Sequence, residues 1–275
     1  MFIDLSLVIQ SSYMTPLLFE DGRLQDIHEK LLSHYGPPAP RQPWTPLRQF
    51  VYSMLSSRTK TETSHEVLYA LERHFESWEK VRDSAEVEVL AVIAPATFAE
   101  DKAPRLQKAL RRITRQNGGK LDLDFLHGQP IERVRKWLET FDGVGPKTSA
   151  SVVNFSTIRG RALVIDSHHL RIAQRLHLIP SSADAAVAEE KLLEIAPAWW
   201  GPEMLDEHHS LIKLHGQRLC TKLDWERSCP RCPLLAICPT GARVTDPHRS
   251  PEGRRPGLKV RKYRPGKVPK ERLTS

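Results

Sequence analysis

The segment FDGVGPKTSASVV, residues 141–153, lies between two stretches that have the apolar spacing of a helix. Gly143 and Gly145 allow a tight turn, and Pro146 suits the first position of a helix, where its missing N–H is not needed. The pattern predicts two helices joined by a turn across residues 131–158. Lys147 then stands in the first helical turn, where partial positive charge disfavours a cation. Either this amine is simply solvated, or the site keeps it uncharged.

The same turn is a candidate phosphate site. Successive N–H groups, here those of Gly143, Val144 and Gly145, point outward in such a turn beside a helix N-terminus, and this arrangement favours an anion. Backbone contacts of this kind hold a nucleic acid strand without reading its sequence. The alternative is a plain connection between two helices, because a Gly-x-Gly pattern alone is a weak signal.

The rest of the chain is also helical in pattern. Apolar residues repeat on one helical face in segments 47–55, 131–141 and 205–219. Further helices are predicted at 66–75, 85–93, 104–116 and 167–178. No sustained period-two alternation or hairpin signal is present. The predicted fold class is therefore all-α.

Positive charge is concentrated at the C-terminal end. Residues 243–275 contain eleven Lys and Arg against three Asp and Glu, so this tail carries the whole formal net charge of +8. The tail is rich in Pro, Gly and Arg and has too few apolar residues to fold alone. It is either a solvated, disordered extension or an arm that binds phosphates.

The composition of the chain gives no indication of a membrane protein. The longest apolar runs are far shorter than a membrane-spanning helix requires, and the first residues lack the basic region of a signal peptide. We therefore expect an intracellular protein, in the cytoplasm or on the nucleoid, with no membrane partner.

The four cysteines lie close together in sequence. Eight, two and five residues separate Cys220, Cys229, Cys232 and Cys238. Clustered cysteines in an intracellular chain indicate a metal site rather than disulfides. Only one Cys-x-x-Cys pair is present, so the spacing favours a [4Fe-4S] cluster over zinc, although both accept four thiolates.

Asp166 follows four apolar residues and opens an amphipathic helix, so by itself it is an ordinary helix cap. Together with the glycine turn, Lys147 and the cysteines, in that order, it indicates a family. The chain resembles endonuclease III and related helix-hairpin-helix DNA glycosylases with an iron-sulfur cluster. The matching segments are MLSSRTKT (54–61), DGVGPKTSA (142–150), VIDSHHLRI (164–172), HHSLIKLHGQRLC (208–220) and CPRCPLLAIC (229–238).

The resemblance implies two lobes with DNA in the cleft between them. A six-helix barrel lobe is expected at 40–160, and an iron-sulfur cluster lobe at 21–39 and 161–240. Residues 1–20 would be an N-terminal extension and 241–275 the disordered basic tail. The resemblance assigns catalysis to Lys147 and Asp166. The DNA contacts that it implies are Gly143, Val144 and Gly145 in the hairpin, with Arg58, Thr59 and Lys60 in the loop that fills the gap left by a flipped nucleotide.

The implied activity is that of a base-excision-repair DNA glycosylase with AP lyase activity, thus both a hydrolase and a lyase. It would act as a monomer on double-stranded DNA with damaged bases, expected to be oxidised pyrimidines, or with abasic sites. The neutral amine of Lys147 would displace the base, form a Schiff base with the sugar and allow β-elimination. The helix terminus and desolvation would lower the pKa of this amine, which answers the question raised by its position.

Three residues depart from the family pattern. Arg58 replaces the usual glutamine, which leaves gap filling feasible while changing the preference for the opposite base. Thr61 stands where aspartate is common. Asp142 puts a negative charge beside the phosphate site, where it weakens DNA binding unless the carboxylate points away.

Two other functions stay open. A monofunctional glycosylase of the adenine-excising branch would need a carboxylate in the helix before the gap-filling loop, but residues 46–61 contain no Asp or Glu. A non-catalytic DNA-structure-binding protein would keep the hairpin and the cysteines without turnover, and intact Lys147 and Asp166 weigh against it.

Two groups of side chains invite a functional interpretation that we do not adopt. Histidines 168, 169, 208 and 209 suggest a metal site, but the four cysteines already complete a ligand set, so we expect these histidines to be packed or hydrogen-bonded. Trp199 and Trp200 are expected in the core or at the interface between lobes rather than as platforms for bases.

Overall fold

A computed structural model of the protein describes residues 21–246, so the predicted N-terminal extension 1–20 and tail residues 247–275 lie outside the described residues. In this range the α-helices, numbered in chain order, are α1 (Arg23–Tyr35), α2 (Pro46–Ser56), α3 (Thr61–Phe75), α4 (Trp78–Asp83), α5 (Glu86–Ile93), α6 (Ala99–Gln116), α7 (Ile131–Leu138), α8 (Pro146–Phe155), α9 (Ser167–Arg175), α10 (Ala185–Glu194), α11 (Pro202–Arg218) and α12 (Pro239–Thr245). Short 3-10 helices occupy Asp124–Leu126, Trp225–Arg231 and Leu235–Ile237. The only β pairing within residues 21–246 is an isolated bridge between Trp44 and Ser156, which confirms the all-α prediction. No helix in this part of the chain is long and apolar enough to cross a membrane.

Local sequence signals begin the helices that carry the site. The hydroxyl of Thr45 accepts the N–H of Arg48 at the start of α2. Helix α8 follows Gly145 and has Pro146 in its first turn. Gly143, in the turn before it, has φ +82°, a left-handed conformation that glycine adopts without strain. Helices α7 and α8 with this turn form the predicted helix-turn-helix.

The buried apolar side chains form one large cluster and two smaller ones. The large cluster is drawn from residues 47–164 and lies among helices α2 to α8. The smaller clusters combine α1 with residues 163–234. The N-terminal helix therefore packs with the C-terminal part of the chain. The residue limits of the two predicted lobes stay a prediction.

Residues 162–165 run between the clusters and lead to the site. Ala162 and Val164 belong to the large cluster, whereas Leu163 and Ile165 belong to a smaller one. Such alternation is typical of an extended segment, whose successive side chains point to opposite sides. Burial on both sides explains why all four residues are apolar, and it fixes the position of Asp166, which follows them.

Several helix ends differ from the sequence pattern. Helix α3 begins at Thr61 rather than at residue 66, and α9 ends at Arg175 rather than at 178. Helix α6 begins at Ala99, so Pro104 lies inside it. A proline removes one backbone hydrogen bond, but burial of the apolar face from Ala99 to Ile113 outweighs that loss. Helix α12 contains residues 241–245, which the sequence assigns to the tail.

Candidate active site

Lys147 is the second residue of α8, and its half-buried side chain lines a cleft. Burial lowers the pKa of its amine, the charge of Lys213 lowers it further, and the carboxylate of Asp166 acts in the opposite direction. Partial positive charge at the N-terminus of α8 also disfavours protonation. The amine therefore loses its proton more readily than an ordinary lysine.

Asp166 is the N-cap of α9. Its Oδ1 accepts the N–H groups of His168 and His169, each at 2.8 Å. Burial by itself would raise the pKa of this carboxyl group, but neighbouring His209 and the backbone hydrogen bond from His169 outweigh burial and lower the pKa to about 2. Asp166 is therefore a helix cap and also an anion that lines the cleft.

The cleft has a volume of about 620 Å³ and lies between the loop after α2, the start of α8, residues 164–168 and one side of α11. The predicted site residues that line it are Arg58, Thr59, Lys60, Lys147 and Asp166. Gly143 lines a neighbouring cavity of about 380 Å³ together with Arg58. Segments that lie far apart in sequence therefore meet in one place, as the predicted site requires.

The glycine turn provides fewer backbone donors than the sequence pattern suggests. The N–H of Val144 donates to the carbonyl of Phe141 at 3.0 Å, and its side chain is buried in the large cluster. Within residues 21–246 the N–H groups of Gly143 and Gly145 have no acceptor. The turn therefore offers two free donors, while Val144 holds the turn against the core.

The carboxylate of Asp142 points toward α6. It pairs with the ammonium group of Lys108 at 2.6 Å, and both side chains are exposed. This hydrogen bond, together with the charges of Arg105 and Arg112, lowers the pKa of Asp142. The negative charge is therefore paired, and the turn remains compatible with an anion.

Arg58 lines both the cleft and the neighbouring cavity, and Phe98 lines that neighbouring cavity beside it. Both have left-handed backbone conformations, with φ of +56° and +58°, and the guanidinium carbon of Arg58 lies 5.6 Å from the centre of the Phe98 ring. The Phe98 side chain is 46% exposed. Arg58 and Phe98 therefore place a cation and an exposed aromatic ring side by side where the loop after α2 meets the start of α6.

Three further residues at the site are absent from the set predicted from sequence. Lys213 on α11 lines the cleft, and its ammonium donates to the hydroxyl of Thr61 at 3.1 Å. It lies four residues after His209 on the same helical face, so helical spacing offered a signal. Phe98 and the buried Lys102 had no local signal, because only the packing of α6 brings them to the loop after α2.

The four cysteines line one apolar cavity beside α9 and α11. Three polar groups reach their sulfurs: the Arg175 guanidinium (3.1 Å from Cys220), the His215 imidazole (3.6 Å from Cys232) and the Gly241 N–H (3.2 Å from Cys238). Burial and the neighbouring thiols raise the pKa of Cys229 and of Cys232 to about 11. No group of three or more His, Cys, Asp or Glu side chains in residues 21–246 is arranged to hold a single metal ion.

The histidine prediction is confirmed for all four residues. His169, His208 and His209 are buried, and Nδ1 of His209 donates to the carbonyl of Val164 at 2.7 Å. Nδ1 of His168 accepts a hydrogen bond from the guanidinium group of Arg171 at 3.1 Å. Trp200 is buried as predicted. The prediction is wrong for Trp199, whose side chain is 60% exposed. The buried ring of Trp200 already fills the core position, and the ring of Trp199 lies beside it at the surface.

Comparisons with known proteins identify the family and the fold of the chain. A family model described as HhH-GPD superfamily base excision DNA repair protein matches residues 51–198. A protein of Arabidopsis thaliana named as a DNA glycosylase, At3g47830, is 30% identical over 192 residues, which cover 67% of this chain and 63% of the relative. The DNA glycosylase/AP lyase ROS1 of the same plant is 26% identical over 208 residues, or 71% of this chain but 14% of ROS1. The chain thus spans less than two thirds of either relative.

Solved structures share the fold. An endonuclease III trapped as a covalent intermediate with DNA has a TM-score of 0.67 and 20% sequence identity. The superposition covers 81% of this chain and 97% of the endonuclease III chain. A thermostable thymine-DNA glycosylase has a TM-score of 0.62 and 16% sequence identity, and its superposition covers 81% of this chain and 98% of the glycosylase chain. These likenesses confirm the helix-hairpin-helix fold of endonuclease III.

Proposed function

Because the chain belongs to the HhH-GPD superfamily of base excision DNA repair proteins, we propose that it is a DNA glycosylase that also cleaves the strand at the abasic site. The observation that carries the lyase part is the shared cleft, in which a lysine with a lowered pKa and an anionic aspartate stand together. The nucleophile is Lys147, and the carboxylate is Asp166. The physiological substrate is double-stranded DNA, bound by a monomer inside the cell.

The reaction begins when the neutral amine of Lys147 attacks C1′ of the damaged nucleotide. The bond between C1′ and the base breaks, and the base leaves with that electron pair and takes up a proton. The sugar ring then opens to an imine with Nζ of Lys147. Loss of a proton from C2′ expels the 3′ phosphate, and hydrolysis of the imine frees the lysine.

Asp166 stabilises the positive charge that develops on the sugar and on the imine nitrogen. Its pKa of about 2 keeps it ionised at every working pH, so this stabilisation is permanent. The two N–H groups that donate to Oδ1 hold the carboxylate in place. Lys213 assists by making the protonated state of Lys147 less favourable.

DNA contacts the turn and the loop that flank the cleft. The free N–H groups of Gly143 and Gly145 bind a phosphate, and Val144 supports the turn from inside. Arg58, Thr59 and Lys60 contact the duplex where the nucleotide has left the stack. The exposed ring of Phe98 suits insertion between bases next to that gap.

Oxidised pyrimidines are the proposed substrates. The support is likeness alone: the endonuclease III of Synechocystis sp. is 26% identical over 199 residues, which cover 71% of this chain and 82% of that enzyme. Single-turnover excision from a panel of duplexes, each with one oxidised pyrimidine, one oxidised purine or one mismatch, tests this part. Preferential release of a purine or of a mismatched thymine would contradict it.

We further propose that Cys220, Cys229, Cys232 and Cys238 hold a [4Fe-4S] cluster. The donor set fits, because four sulfurs line one apolar cavity and three nitrogen-bearing groups lie within hydrogen-bond distance of sulfur. Thiols whose pKa is raised by burial need a cation to ionise, and the cluster would supply it. The cluster would tie together the segment after α11, which carries all four cysteines. Iron and sulfide analysis with a visible spectrum tests this, and stoichiometric zinc without iron would contradict it.

Borohydride trapping on a duplex with one abasic site tests the lyase. We expect a covalent protein–DNA band from the wild type, no band from Lys147→Ala, and an unchanged band from Lys80→Ala, which alters an exposed pair remote from the cleft. Base release without a trapped band would favour a monofunctional glycosylase. Duplex binding with neither base release nor a band would favour a non-catalytic DNA-structure-binding protein.

A further inference from the structure

Lys102 is a buried lysine with no carboxylate partner in the described part of the chain. Its side chain projects from the first turns of α6, and the residue is 8% exposed. The ammonium group donates to the carbonyl of Leu55 at 2.6 Å, the carbonyl of Ser57 at 2.8 Å and the hydroxyl of Thr59 at 2.8 Å. A lysine has three N–H donors, so every donor is used.

These three acceptors belong to one stretch, the end of α2 and the loop that follows it. This loop carries Arg58 in its left-handed conformation. A loop that holds a non-glycine residue in this conformation needs outside support. The ammonium of Lys102 provides that support at the residues before and after Arg58.

The same hydroxyl connects this loop to a second one. Oγ1 of Thr59 also accepts the backbone N–H of Thr97 at 3.2 Å. The next residue is Phe98, whose ring lies below the guanidinium group of Arg58. Lys102, Thr59 and Thr97 therefore form one chain of hydrogen bonds, which connects the loop of Arg58 to the residue before Phe98.

A purely structural role does not explain this arrangement well. A buried ammonium is costly to desolvate, and an apolar side chain could fill the same space. Burial, and then the nearby charge of Lys147, lower the pKa of Lys102 to about 8. Because all three donors are engaged, Lys102 is a poor nucleophile despite this pKa. The charge is retained where two DNA-facing loops meet.

We infer that Lys102 is a positioning residue that presents Arg58 and Phe98 as one unit to the gap left by a flipped nucleotide. This inference rests on the proposed DNA function. On this inference, the reaction on duplex DNA needs Lys102, because a gap in the duplex must be filled. The chemistry of Lys147 itself does not need it. A single strand has no stacked gap, so the two requirements can be separated.

The test compares Lys102→Met with the wild type in single-turnover trapping on the same abasic strand, once in a duplex and once alone. We expect a loss of about tenfold or more on the duplex, as three charged hydrogen bonds are removed. On the single strand we expect a change of less than about twofold, which is the size of effect that a typical surface substitution has. Lys80→Met is such a surface substitution and serves as the control on both substrates. Equal losses on both substrates, or no loss on either, would overturn the inference.

A second readout does not depend on catalysis. A duplex with a stable abasic analogue and 2-aminopurine opposite it reports by fluorescence when side chains enter the gap. Lys147→Ala should keep the wild-type signal, whereas Lys102→Met should lose it. An unchanged signal in Lys102→Met would refute the inference, whereas a wild type that gives the signal but no trapped band would refute only the proposed lyase.

If Lys102→Met fails to fold, Lys102→Gln is a milder variant. Its amide can still donate two hydrogen bonds to the acceptors of the loop after α2, but the charge and the third donor are gone. Lys102→Gln should show the duplex-specific loss and keep its rate on the single strand. An equal loss on both substrates, or no loss on either, would exclude the hydrogen-bond chain as the cause.

Discussion

Gly216 allows α11 to approach the start of α9. Replacing Gly216 with alanine should disturb the site, although residue 216 itself does not line the cleft. A Cβ added at Gly216 would lie 2.7 Å from Cβ and 2.7 Å from Nδ1 of His168. Carbon atoms in contact normally stand about 3.5–4.0 Å apart, so His168 would have to move by about 1 Å. The N–H of His168 donates to Asp166, so this movement would reach the carboxylate.

The size of the effect follows from two opposing contributions. Overpacking costs about 1–3 kcal/mol. Alanine in place of glycine inside a helix gains about 1 kcal/mol. The net loss of free energy of unfolding for Gly216→Ala is therefore up to about 2 kcal/mol, and each kcal/mol lowers Tm by about 2–4 °C in a chain of this size.

Thermal unfolding and the rate of borohydride trapping measure this prediction, and Gly201→Ala is the matched control. Gly201 precedes the same helix, and a Cβ there meets only Oε2 of Glu203 at 3.5 Å, an ordinary contact. We expect Gly216→Ala to lower both Tm and the trapping rate, with little change in the control. A rise in Tm of the size expected from helix propensity alone would show that His168 moves away freely, and the steric reasoning would be refuted.

Three further predictions concern charge at and behind the site. Asp166→Asn should keep the helix cap, since asparagine caps as well as aspartate, yet reduce the single-turnover trapping rate by about a hundredfold. A variant whose lower trapping rate is accompanied by a clear fall in Tm would contradict a catalytic charge. Burial, and then nearby His209, lower the pKa of His169 from 6.5 to about 3. Between these two pH values His169 carries a proton in the unfolded chain but not in the folded one. Tm should therefore fall as the pH drops from 6.5 toward 4. His169→Gln should weaken this pH dependence, and an identical dependence in the variant would contradict it. Asp142→Asn should free Lys108 and tighten duplex binding in a fluorescence anisotropy titration, with a steeper salt dependence; weaker binding would show that the pair positions the turn.

Much of the fold was accessible from the sequence, because helices depend on local spacing. The apolar periodicity, Gly143 in a left-handed turn, Pro146 in the first turn of α8 and Asp166 as the cap of α9 are all signals that act within a few residues. The order of these signals also indicated the family. Helix ends were less accessible, as α6 shows, because burial of a whole face outweighed the signal from Pro104.

The candidate site was predicted in its members but not in its arrangement. Sequence order and resemblance named Lys147, Asp166, the residues of the loop after α2 and the cysteines. They did not indicate that Val144 uses its own N–H inside the turn, or that Asp142 pairs with Lys108 on α6. The hydrogen bond of Val144 is local, since it reaches Phe141 within the turn, but the glycine pattern does not reveal it. The pair of Asp142 with Lys108 depends on the packing of α6 beside the turn.

By itself, the sequence determined the helical class, the turn that begins α8, the cap of α9 and the residue types to which catalysis is assigned in the proposed function. Only the tertiary structure brought Lys102 under the loop of Arg58, placed Lys213 beside Lys147 and left Trp199 exposed while it buried Trp200. The physical reason is the range of the interactions. Turns, caps and amphipathic faces are set by neighbours in sequence, whereas burial, pKa and the partners of a side chain depend on segments that meet only when the cores pack.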